Sequence, residues 1–179
     1  MKKLVLAAAV VICLVLALTL GVHAFAGEGK KEVKADTLTG YQEATPAGVS
    51  SAGTGSFSAT IDDGARTITY ELTYSGLSSP AGAAHIHFGN RFTSGGVSAF
   101  LCGGSKPSCP AGTTSEATVT GTIKASDVIG PASQGIAAGE FDEFVAAIRA
   151  GVTYANVHTS NFPNGEIRGQ INDDNQRQP

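Results

Sequence analysis

The chain has no tryptophan, and only four of its 179 residues are histidine. Charged residues are 15% of it, with 12 Lys and Arg against 15 Asp and Glu. The one basic cluster is "KKEVK" at 30–34. So little positive charge excludes the electrostatic footprint that nucleic acid or anionic lipid requires. No G-x-S-x-G elbow is present, which argues against a serine hydrolase of that type. Glu43, Asp62, Asp63 and Glu166 are scattered and show no acid/base pairing. There is no phosphate-binding glycine loop, no internal repeat and no low-complexity tract. These absences lean away from an enzyme.

What is present begins at the N-terminus. Lys2 and Lys3 precede an apolar stretch from Leu4 to Leu20, followed by Ala24-Phe25-Ala26. That order reads as a cleavable signal peptide over residues 1–26, although the stretch is nearly long enough for an uncleaved anchor. Cys13 inside it has no lipobox-like context. Cleavage after Ala26 removes two lysines, leaving 10 basic against 15 acidic residues and a net charge of −5. Residues 27–37, with "KKEVK", read as a polar spacer. Cys102 and Cys109 remain in "LCGGSKPSC", and an exported chain with an even cysteine count points to a disulfide. A bridge over so short a loop contributes about 2–3 kcal/mol in the chain-entropy model.

Short runs of alternating polarity separated by turn residues predict an all-β fold. "GSFSATI" at 55–61 puts Phe57, Ala59 and Ile61 on one face, and "RTITYELTY" at 66–74 aligns Ile68, Tyr70, Leu72 and Tyr74. With "DDG" between them, the two runs read as a hairpin. Further strands are expected at "AAHIHF", "GVSAFLC", "EATVTGTIK", "GVTYANVHT" and "GEIRGQI", the last two joined through Asn164-Gly165. One segment, 137–151, has helical spacing in Phe141, Phe144, Val145 and Ile148, with Gly151 as C-cap. The expectation is an antiparallel, Greek-key-like β-sandwich with one short amphipathic helix, over residues 38–172. Residues 173–179 are read as a polar tail.

The histidines stand out against this background. His85 and His87 are two apart in a strand, so they share a face with Cα atoms about 6.5–7 Å apart. Ala84, Ile86 and Phe88 then face the core. On a second strand, Tyr154, Asn156 and His158 share a face. If the two strands are neighbours, three imidazoles meet, a donor set for copper or zinc, with Cu(II) the tighter of the divalent ions. The competing reading is a structural hydrogen-bond network in which neutral imidazoles bond Thr, Asn or backbone carbonyls. Asn156 and Glu166 are the residues placed to orient ligating histidines. A surface ion pair between Glu166 and Arg168 is the simpler reading of "GEIRGQ". Tyr41, Phe92 and Phe162 in loops form a further candidate ligand patch.

Taken together, "LTGYQEATPAGVSSAGTGSFSATID", "ITYELTYSGL", "AAHIHFG" and "AGVTYANVHTSNFPNGEIRGQI" resemble the CHRD domain family, named after the repeated module of chordin. The match spans roughly residues 38–171. The resemblance implies an extracellular β-sandwich module. Its H-x-H strand also looks like the copper-binding strand of copper/zinc superoxide dismutase, but that enzyme's other metal ligands have no clear counterparts. The expected function is therefore an exported, non-enzymatic extracytoplasmic binding or envelope-associated module. Its partner would be a protein or small ligand, not nucleic acid, and not a membrane beyond the signal segment. The alternative is a copper protein with His85, His87 and His158 as ligands; no other cofactor is indicated.

Overall fold

The computed structural model describes residues 30–45 and 47–172. The signal-peptide reading of 1–26 and the tail at 173–179 lie outside those residues.

Eight strands form one strongly curved antiparallel sheet. In chain order they are β1 (Lys31–Thr39), β2 (Thr54–Asp62), β3 (Thr67–Ser75), β4 (Ala81–Phe88), β5 (Gly96–Cys102), β6 (Ala117–Lys124), β7 (Thr153–Thr159) and β8 (Ile167–Ile171). Their lateral order is β5-β4-β7-β8-β1-β2-β3-β6. The central junction is slight, because β1 and β8 share one paired position, Thr39 with Arg168. The sheet thus behaves as two four-stranded halves folded face to face around a common core, the sandwich that the alternation predicts.

Period-two patterning explains the core. The β2–β3 hairpin runs in unbroken register from Thr54↔Ser75 to Asp62↔Thr67. Phe57, Ala59, Ile61, Ile68, Tyr70, Leu72 and Tyr74 are all buried. The Asp62 side chain accepts from the Ala65 amide to close the turn, as a short acidic side chain does in an Asx-turn. Tyr70 reaches across the interior, where its hydroxyl donates to the Leu101 carbonyl at 2.7 Å. Gly121 makes room for that ring, since a Cβ there would lie 2.5 Å from the hydroxyl oxygen.

The helix, α1 (Phe141–Arg149), is shorter at its start than the periodicity suggests. Residues 137–140 instead turn back, with the Ala137 amide donating to the Glu140 carboxylate. Phe141, Phe144, Val145 and Ile148 are buried against the core as expected. Arg149 meets Asp63 at 2.6 Å, and Arg66 meets Asp142 at 2.7 Å, so the helix is tied to the β2–β3 turn. Gly151, at φ 72°, ends it in the left-handed conformation that glycine adopts most easily.

One sequence expectation is corrected. Residues 31–37, read as part of a polar spacer, belong to β1 and pair with β2 from Lys31↔Ile61 to Ala35↔Phe57. Val33, Ala35 and Leu38 are buried, whereas Glu32, Lys34 and Asp36 face solvent. The charges are the outer half of a period-two strand. The Cys102–Cys109 disulfide is present, as the even cysteine count implied.

Candidate metal centre

The pairing of β4 with β7 decides whether the histidines meet. These strands are neighbours, in register Ala83↔His158, His85↔Asn156 and His87↔Tyr154. His85, His87 and His158 therefore share the outer face of one half-sheet, with His85 and His87 two apart on β4 and His158 on β7 diagonal to His85. Ala84 and Ile86 point the other way and are fully buried in the core. Ala83, opposite His158, is small enough to leave the rings room. Ring centroids lie 4.8 Å apart for His85–His158, 5.4 Å for His85–His87 and 5.6 Å for His87–His158. One nitrogen from each ring comes within 4.8 Å of the others.

The tautomers of two rings follow from their partners. His87 Nδ1 sits 3.0 Å from the Gly95 carbonyl, and His158 Nδ1 sits 3.1 Å from the Pro163 carbonyl. A carbonyl only accepts, so in the neutral ring each Nδ1 carries the proton and each Nε2 keeps its lone pair. Both Nε2 atoms, and Nδ1 of His85, are buried and have no hydrogen-bond partner. Burial pulls the His85 pKa down to about 3, assisted by His158 and His87. It takes His87 down to about 4 against the Gly95 hydrogen bond, and lowers His158 as well. Three imidazoles held toward the neutral form thus lie together, each with one buried nitrogen that has no hydrogen-bond partner.

The surrounding shell is aromatic and tightly held. Phe100 meets the His85 ring edge-on at 4.4 Å. Tyr154 stacks parallel on His87, centroids 4.8 Å apart and planes within 3°. The Arg168 guanidinium lies 3.4 Å over the Tyr154 ring, a desolvated cation–π contact. Arg168 also donates to the Thr93 and Asn90 carbonyls, and the Gly95 amide donates to the Tyr154 hydroxyl. The 89–95 loop, which supplies the carbonyl that orients His87, is fixed by these bonds.

Asn156 and Glu166, expected to orient the histidines, do not bond them. Asn156 Nδ2 donates to Glu43 Oε1 at 2.6 Å and to the Ile167 carbonyl. The Glu166 carboxylate accepts from Ser51, from the Ser78 amide and hydroxyl, and from Thr159. Burial works to raise the Glu166 pKa, but these four donors outweigh it and the pKa is lowered. Backbone carbonyls do the orienting instead. Nor do Glu166 and Arg168 form a surface ion pair: both are buried and bonded elsewhere. Glu43, in contrast, is pushed up to about 7 by burial, against the Asn156 hydrogen bond and Arg168. Gly165, at φ 127°, has no space for a Cβ, which would lie 2.6 Å from both Asn156 Nδ2 and Glu43 Oε1.

Of the loop aromatics, Tyr41 and Phe92 are 76% and 86% exposed and line one cleft of about 420 Å³ with Glu43 and Arg91. Phe162 is half-buried in the β7–β8 link and does not line that cleft. Tyr154, Arg168 and Glu43 are site residues that composition did not reveal. The available signal was the alternation of Glu166, Arg168 and Gln170 with Ile167, Gly169 and Ile171. It gave the shared face but not its burial.

No curated protein and no solved structure matches the chain. A family model does: the CHRD domain, typically an extracellular module, aligns with residues 35–171, from β1 through β8. With the H-x-H strand, the N-V-H strand and the closing G-E-I-R-G-Q segment all inside that match, the chain belongs to the CHRD domain family.

Proposed function

We propose that this protein is an exported, non-enzymatic CHRD module that binds a transition-metal ion, copper, through His85, His87 and His158. The carrying observation is the trio of buried nitrogens without partners, one on each ring. A structural histidine network would satisfy those atoms, since an unmade hydrogen bond on a buried polar group costs about 1–3 kcal/mol. A metal ion satisfies all three at once. Gly95 and Pro163 supply the carbonyls that set ring orientation, the role such partners play around metal-ligating histidines. At metal–nitrogen bonds near 2.1 Å, two nitrogens on one ion are at most about 4.2 Å apart. The ligand atoms lie within 4.8 Å of one another, so binding draws the rings closer together around the ion. The apolar N-terminal stretch after Lys2 and Lys3 supports export. Imidazole donors suit copper and zinc, and copper stands higher in the divalent affinity order.

The test is metal content after loading with copper and desalting. Stoichiometric copper is expected in the wild type and is lost in His85→Ala and in His158→Ala. Wild type and variants retaining equally little copper would return the histidines to a purely structural role.

A further inference from the structure

The three donor nitrogens are all inaccessible to solvent. Among the described residues the histidines are the only group of three or more His, Cys, Asp or Glu residues gathered closely enough to share an ion, and no carboxylate or thiolate joins them. The two nearby buried carboxylates are already committed: Glu43 to Asn156, and Glu166 to Ser51, Ser78 and Thr159. The cysteines are joined to each other. The sequence's only methionine is residue 1, so no thioether from the domain takes part. A positive charge is built into the shell: Arg168 stacks on Tyr154, which stacks on His87.

From this we infer that the site is built for copper as Cu(I), and holds it in preference to Cu(II) and Zn(II). The inference rests on the metal reading of the same histidines and adds the charge state of the ion.

Three features converge on that preference. The first is coordination number. Zinc takes four ligands in structural sites and, in catalytic ones, three plus a water or substrate. Cu(II) also seeks four or more. Cu(I), with a filled d shell, is content with three, and three buried nitrogens offer a trigonal set. The second is charge. The Born cost of burying an ion rises with the square of its charge, so a divalent ion costs about four times as much as a monovalent one in the same cavity. A site with a carboxylate ligand offsets that cost; a neutral imidazole set does not. The third is the field of Arg168, which opposes every added positive charge. Together they lower the affinity for divalent ions while leaving the strong Cu(I)–imidazole bonds intact.

The experiment is a competition measurement on the purified full chain. Cu(I) is presented anaerobically as its bicinchoninate complex, Cu(II) as its nitrilotriacetate complex, and Zn(II) with a chromophoric chelator. The expected result is Cu(I) bound at least about a hundred-fold more tightly than Cu(II), relative to the aqueous couple. That corresponds to a reduction potential raised by about 118 mV, at 59 mV per decade for one electron. Arg168→Leu is expected to narrow the preference, read as a lower potential.

His85→Ala abolishes the binding. Should that variant fail to fold by circular dichroism, His158→Gln is read instead, because it keeps a donor for the Pro163 carbonyl. Cu(II) or Zn(II) held as tightly as Cu(I) overturns this inference and leaves the metal reading standing. No retention of any of the three ions overturns both. Cu(I) held equally by the folded histidine variants places the metal elsewhere and also overturns the inference.

Discussion

The outer faces of the two half-sheets are chemically unlike. On β1-β2-β3-β6 the outward residues are Ser58, Thr60, Thr69, Glu71, Thr118 and Thr120, mostly in contact with water. Where two hydroxyls meet across strands, as at Ser56 and Thr73, they bond to each other. On β4-β7-β8 the corresponding positions hold His, Tyr, Asn, Arg and Gln, with Glu166 just before β8, and most are buried under the flanking loops. One backbone architecture thus carries a solvated face and a covered one. The difference teaches that function is written where the fold spends loops. A threonine face needs only β propensity and water, whereas a covered polar face needs a partner for every group it buries.

The sharpest break of this contrast is at Arg168. Arg168→Ala removes the cation–π contact with Tyr154 and the bonds to the Thr93 and Asn90 carbonyls. Losing a fully buried, charge-assisted network is expected to destabilise the protein by about 3–5 kcal/mol, measured by denaturant unfolding of the metal-free chain.

A smaller effect is expected from pH. The unfolded chain protonates its histidines near their ordinary pKa of 6.5, while folded His85 and His87 stay neutral down to about 3 and 4. Between those values the unfolded state binds more protons, so metal-free stability falls as pH drops from about 6.5 toward 4. Glu43 acts in the opposite sense. Its folded carboxyl keeps a proton up to about 7, against an ordinary 4.5, so its contribution is present below 4.5 and is lost as pH rises toward 7. Glu43→Gln, which retains an acceptor for Asn156, is therefore expected to steepen the acid-side loss. A profile unchanged in Glu43→Gln would show that Glu43 does not titrate in this range.

The smallest effect belongs to the other face. Thr120→Ala is expected to stay within about 0.5 kcal/mol of wild type and to leave copper content unaltered. A larger loss would mean that the threonine face, too, is covered in the working protein.

Local pattern made part of this legible from residues alone. The β2–β3 hairpin and α1 announce themselves through periods of two and about three and a half, because their partners are close in sequence. His85 and His87 were readable as a pair for the same reason. β1 was hidden because its charged outer half dominates the short run around Val33 and Ala35. The bonds of Glu166, Arg168 and Asn156 were hidden for a deeper reason. Alternation says that they share a face, but only the distant 40–53 and 89–95 segments determine that this face is dry. Glu43 joins Asn156 over 113 positions of sequence, and no local rule reaches that far.

The single shared position between β1 and β8, Thr39 with Arg168, bears on how the molecule breathes. Few backbone bonds hold the halves together there, so side chains in the shared interior carry most of the cohesion. Partial opening should begin at this suture and peel β8 from β1 before either half loses its own ladder. Amide exchange along the two edges would then precede that of the β2–β3 hairpin, and an ion seated on β4 and β7 would ride through such excursions undisturbed.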